Sequence, residues 1–78
     1  MTIDKEGMRP SYLQLADILR DAIKRGEYEP HSKIPSESRL VQEHGLARET
    51  VRKAVRVLAD EGLVTIVQGR GVYVTERP

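Results

Sequence analysis

Cysteine is absent from the sequence, which removes disulfide staples and thiolate metal ligands and fits a reducing compartment. Long apolar runs are missing as well. No stretch approaches the roughly 20 residues of a membrane span, and the polar start, Met1 to Pro10, lacks the apolar centre of a signal peptide. A cytoplasmic protein without membrane contact is expected. An excess of one charge is also lacking: thirteen basic residues against twelve acidic ones leave a formal net charge of +1. The chain is no polycation, so any attraction for nucleic acid must come from where the cations stand. They stand unevenly, with five basic and three acidic residues from Arg48 to Arg70, while Asp17, Asp21, Glu27 and Glu29 lie in the N-terminal half. No catalytic constellation is found either. His31 and His44 lack metal-ligand spacing and no nucleophile stands beside a base, so no enzyme activity, cofactor or metal is expected. Seventy-eight residues make one domain that buries about 60% of its unfolded surface, which means a thin core.

The stretch Arg48 to Ala59 writes two surfaces onto one helical period. At about 100° per residue, Val51, Ala54, Val55 and Leu58 fall in one sector and Arg48, Arg52, Lys53 and Arg56 in the next. Such a helix buries one side in a small core and offers a row of cations on the other, matching the charge and width of a DNA major groove. A basic face by itself is more often only a solvated face, so the neighbouring segments have to decide.

Met1 to Arg9 carries no period and reads as a flexible arm. Ser11 and Gln14 form a Ser-x-x-Gln pattern, which predicts a capping box, and Tyr12, Leu15, Ala16, Leu19, Ala22 and Ile23 predict a first helix ending near Arg25, with Gly26 as a left-handed stop. Glu27 to Lys33 is polar and loop-like, and Ile34 beside Pro35 allows at most a short extended bridge. Ser36 is placed to cap a second helix from about Glu37 to His44, which Gly45 ends. Only Gly45, Leu46 and Ala47 then separate it from the basic helix. Two helices joined by a three-residue turn with a glycine are a helix-turn-helix. After Gly62 the pattern turns to β-branched runs, Leu63 to Val67 and Val72 to Thr75, around Gln68-Gly69-Arg70-Gly71, which predicts a hairpin with an arginine at its tip. The expected fold is therefore α+β, mainly α: three helices and a C-terminal β-hairpin wing over residues 10–75, preceded by an arm at 1–9 and followed at 76–78 by the start of a linker or tail.

This order of elements, and the words that fill it, resemble the winged-helix DNA-binding domain of GntR-type bacterial regulators. The resemblance runs from Pro10 to Val74 and is carried by Ile34-Pro35-Ser36-Glu37, Gly45-Leu46-Ala47-Arg48-Glu49-Thr50-Val51-Arg52, Glu61-Gly62-Leu63-Val64 and Gly69-Arg70-Gly71-Val72-Tyr73-Val74. The opening Pro10-Ser11-Tyr12-Leu13-Gln14 resembles the HutC-like or YtrA-like branches. Carried over position by position, the resemblance implicates Ser36, Ser38, Arg48, Glu49, Thr50, Arg52, Gly69 and Arg70 in DNA contact. It further implies repression as a role, a homodimer on an inverted repeat of double-stranded DNA, and an effector ligand only where a C-terminal domain exists. The chain departs from the family pattern at Ala47, where Ser or Thr is usual, at Ser38, often Arg, and at His44, which stands in for an aromatic and is more readily a half-buried packing residue than a metal ligand.

The residues themselves give each candidate a chemistry. Arg48 and Arg52, one turn apart, can reach the same stretch of groove, where an arginine fork bonds guanine O6 and N7; the competing role is surface ion pairing, for instance with Glu49. Lys53 suits a phosphate contact, and Arg56 either that side or a pair with Asp60 at i+4. Arg70 suits a narrow, electronegative minor groove. Ser36 and Ser38, near a helix start, can donate to phosphate, though Ser36 serves equally as a cap alone. Sequence-specific DNA binding in transcription is thus the expected function. A winged helix used for protein or RNA contact is the alternative.

Overall fold

The computed structural model describes residues 3–75; segment 76–78, expected to begin a linker, and the first two residues of the arm lie outside them. Apolar spacing of three and four builds α1 (Ser11–Lys24), α2 (Glu37–His44) and α3 (Arg48–Asp60), and the β-branched runs form β1 (Val64–Val67) and β2 (Gly71–Val74). The strands pair antiparallel, Val64 opposite Val74 and Val67 opposite Gly71. Leu15, Leu19 and Ile23 of α1 pack with Val51, Ala54 and Leu58 of α3, and Leu40, Leu46, Val64 and Val74 close the cluster. Every side chain of this core is apolar, so hydrophobic burial fixes the angle between helices without polar pairing inside.

The helix ends follow from their residues, with one correction. At α2 the Ser36 hydroxyl accepts the Arg39 amide at 3.1 Å, and Gly45, at φ 62°, ends the helix and opens the turn into α3. α1 and α3 stop in the same way: Glu27 N–H donates to Ala22 C=O and Leu63 N–H to Leu58 C=O, both at 3.0 Å, around left-handed Gly26 and Gly62, the six-to-one bond of a Schellman ending. The capping box expected at Ser11 and Gln14 does not form. Pro10 occupies the cap position, Ser11 is already helical, and no side chain caps the helix. The Gln14 amide turns instead to the preceding segment, donating to the Asp4 and Arg9 carbonyls at 2.7 Å each and accepting the Asp4 amide at 2.7 Å.

That segment, read from the sequence as a flexible arm, lies along the domain. Ile3 packs against the core, Arg9 pairs with Asp17 of α1 at 2.8 Å, and the Lys5 ammonium donates to the Gly45 carbonyl at the end of α2. A third extended piece completes the sheet. His31 N–H donates to Val74 C=O and Val74 N–H to Ser32 C=O at 2.8 Å, and Ile34 N–H donates to Val72 C=O at 3.0 Å, so residues 31–34 flank β2 on the edge away from β1, with a bridge from Lys33 to Tyr73. Among the described residues no helix is long and apolar enough to cross a membrane.

Candidate nucleic-acid interface

Three elements bring the expected residues together. α2 contributes Ser36 from its cap and Glu37 and Ser38 from its first turn, α3 contributes Arg48, Glu49, Thr50, Arg52 and Lys53, and the wing contributes Gly69 and Arg70. Because the turn is only three residues long, the start of α3 lies against the start of α2. Both oxygens of Glu37 are used there: Arg48 donates to Oε1 at 2.6 Å and Arg52 to Oε2 at 2.8 Å. Arg48 also reaches toward the Ser38 hydroxyl at 3.5 Å. One carboxylate thus sets two guanidiniums, a helical turn apart, side by side on an exposed face. Arg52, ahead of Arg48, holds the Glu37 carboxyl below the usual carboxylate range, and the bond from Arg52 to Glu37 raises the Arg52 guanidinium in turn.

Surface ion pairing, the competing role for the two arginines, is therefore present. The close partner is Glu37 on the neighbouring helix, and Glu49 pairs with Arg52 only at 4.0 Å and is exposed. The sequence marks Glu37 only as the start of the second helix; the signal that it does more is an acid in one helix of a helix-turn-helix facing a pair of arginines in the other. Lys53 lies with its ammonium 5.8 Å from the centroid of the Tyr12 ring, a cation–π approach that ties α3 to the start of α1 and adds Tyr12 to this surface. Arg56 and Asp60 share one helix but form no ion pair among the described residues. Ser36 spends a lone pair on its cap and keeps its hydroxyl proton for another acceptor. Thr50 is half-buried and Ser38 exposed.

On the wing, the Arg70 amide donates to Val67 C=O at 3.0 Å, closing a turn in which Gly69, at φ 76°, takes the left-handed position. Arg70 is exposed at the tip. Chemically the surface consists of two guanidiniums paired to one carboxylate on the exposed face of α3, hydroxyls at the start of α2, and an arginine at the hairpin tip.

A helix-turn-helix followed directly by a paired hairpin defines a winged helix. The profile of the family described as bacterial regulatory proteins, gntR family, matches residues 11–74, and the chain belongs to that family. It is 44% identical over 70 residues to the mannosyl-D-glycerate transport/metabolism system repressor MngR of Escherichia coli K12, covering 90% of this chain and 29% of that protein. To the histidine utilization repressor of Pseudomonas putida it is 39% identical over 71 residues, covering 91% and 29%. The chain therefore spans under a third of the length of these relatives. Among solved structures, it superposes on YtrA from Sulfolobus acidocaldarius, a GntR-family transcription factor, with a TM-score of 0.87 and 38% identity, covering 99% of this chain and 81% of that one. It superposes on AraR(DBD) in complex with operator ORX1 with a TM-score of 0.85 and 40% identity, covering 87% and 82%.

Proposed function

We propose that this chain is the DNA-reading module of a bacterial transcriptional repressor, acting in the cytoplasm as a pair on an inverted repeat. α3 enters the major groove and the wing the adjacent minor groove. The observation that carries the reading is the pair Arg48 and Arg52, fixed by Glu37 on the exposed face of α3, with Arg70 at the wing tip. Holding the guanidiniums in place beforehand lowers the ordering cost of binding, and each retains free N–H donors for base edges. Ser36, Ser38, Thr50 and Lys53 contact phosphate or hold the register, Gly69 lets the tip approach closely, and Glu49 reads cytosine. The structural match to an AraR domain on its operator supports the same use. An effector belongs to a further domain where one is joined.

The experiment is a titration of the chain against a duplex recovered by selection from a random pool, a random duplex and a structured RNA, each over a range of salt. The expected result is preference for the selected duplex, falling steeply with salt because each neutralised phosphate contributes about −0.9 to the log–log slope. Arg48→Ala should weaken the selected duplex by roughly 1–3 kcal/mol and relax its preference. Equal affinity for all three nucleic acids would refute the reading.

A further inference from the structure

The surface described above leaves one concavity unused, the space between α3 and the wing. Its walls carry Lys33, Arg52, Arg56 and Arg70, and among the described residues the one acid on them is Glu37. That carboxylate already accepts from Arg52 and Arg48, so the concavity is left with an uncompensated positive field. Its floor is apolar, formed by Ile34, Val55 and Val72 among others, which strengthens the field above it. The two cations that the proposed site does not use are held on opposite sides. Lys33 comes from the extended piece beside β2: its ammonium is 5.9 Å from the centroid of the Tyr73 ring. Its stem crosses Gly71 so closely that a Cβ there would sit 2.7 Å from Lys33 Cε. Arg56 stands on α3, a turn beyond Arg52, exposed and with no ion pair among the described residues.

This inference rests on the DNA-binding reading and deepens it. In a duplex, a major groove and the minor groove next to it are separated by one sugar-phosphate strand. With α3 in the first and the wing tip in the second, that strand has to cross the concavity between them. We propose that this concavity seats the sugar-phosphate backbone of one DNA strand, and that Lys33 and Arg56 contact its phosphates. Both contacts are indifferent to sequence: they set how firmly the module is held and leave base preference to Arg48, Arg52 and Glu49.

The test uses Lys33→Met, which keeps the stem over Gly71, and Arg56→Gln, with Lys33→Arg and Arg56→Lys as conservative partners. Each is titrated against the selected duplex and a random duplex of the same length over a range of salt. Each neutral variant should flatten the log–log salt slope by about 0.9 per bound chain, and at about 0.1 M salt weaken both duplexes by a similar factor, somewhat under tenfold. The charged partners should restore the slope. A set of selected duplexes, each with one phosphate replaced by a neutral methylphosphonate, then locates the contacts: among the replacements that weaken the wild type, one should have no further effect on Arg56→Gln and one should have none on Lys33→Met. Wild-type slopes in both neutral variants, while Arg48→Ala still loses selectivity, would overturn the proposal and leave the DNA-binding reading intact. If the wild type shows no salt-dependent duplex binding, the DNA-binding reading itself fails.

Discussion

Ala47 leaves the start of α3 with a methyl group where a hydroxyl would accept a first-turn amide. Its backbone has the extended geometry of a cap residue, φ −64° and ψ 149°, and no side chain takes the amides. Ala47→Ser should therefore raise stability by on the order of 1 kcal/mol, read as a higher midpoint in thermal melts; an unchanged midpoint would mean that solvent already satisfies those donors. Glu49, two residues on, is the acid among the cations. It is exposed and only loosely paired with Arg52, at 4.0 Å, so it is free to accept from the N4 amino group of cytosine. Glu49→Ala should strengthen binding to random duplex, because a carboxylate facing phosphates is removed, and relax preference at one base pair of the half-site. Selection of bound sequences with each variant, run beside a melt, decides this; lower stability with an unchanged preference would reduce Glu49 to a helix-dipole residue.

At the scale of elements, α1 and α3 are joined by packing inside and by a charged seam outside. Arg20 donates to both oxygens of Glu61, at 2.8 and 2.6 Å, and to Asp17 at 2.7 Å. Arg20 holds the Glu61 carboxyl below the usual range, and Arg9, then Arg20, does the same for Asp17. A carboxylate with a depressed folded pKa stabilises the fold above its unfolded value, near pH 4, and that contribution is lost as the pH falls through the folded value. Arg20→Ala should thus cost roughly 0.5–1 kcal/mol at neutral pH, a small figure because Glu61 is 39% exposed and solvent screens the pair. The gap between the melts of wild type and variant should narrow below about pH 4. What the sequence made legible at this scale follows from locality. The spans of α2 and α3, the cap at Ser36, the three-residue turn and the hairpin all depend on residues within a few positions of each other. What escaped depends on separation: Arg20 with Glu61, Arg52 with Glu37 and Lys5 with Gly45 are distant in sequence, and no period or motif pairs them. The expected capping box failed because Pro10 takes the cap position and Ser11 is already helical, which leaves Gln14 to bond the segment ahead of the helix. At the candidate interface, the expected arginines stand together, but the carboxylate that positions them was visible only once two helices were laid side by side.

For the whole molecule, association is decided by how little apolar surface remains outside the core. Met8 and Ile66 are the large apolar residues left exposed among those described, the latter at 48%, one ahead of α1 and the other on β1. That is far short of the apolar centre of a stable interface. The isolated chain should sediment as a monomer at micromolar concentration and pair only where two half-sites, or a covalently joined domain, raise the effective concentration of one copy near another. A dimer stable without DNA would contradict this.

Residues 31–34, bonded to the outer edge of β2, also decide how the wing can move. A two-stranded ribbon rooted at one point swings as a flap. Here β2 is the middle member of three, and swinging would break the bonds His31 to Val74, Val74 to Ser32 and Ile34 to Val72 together. The wing is clamped along β2, and the turn at 68–70 lies outside those bonds. A lever of fixed reach does not follow a groove that widens or recedes. On DNA it would act as a gauge: a duplex whose minor groove lay at the right depth and width would engage Arg70, and one that did not would forfeit that contact.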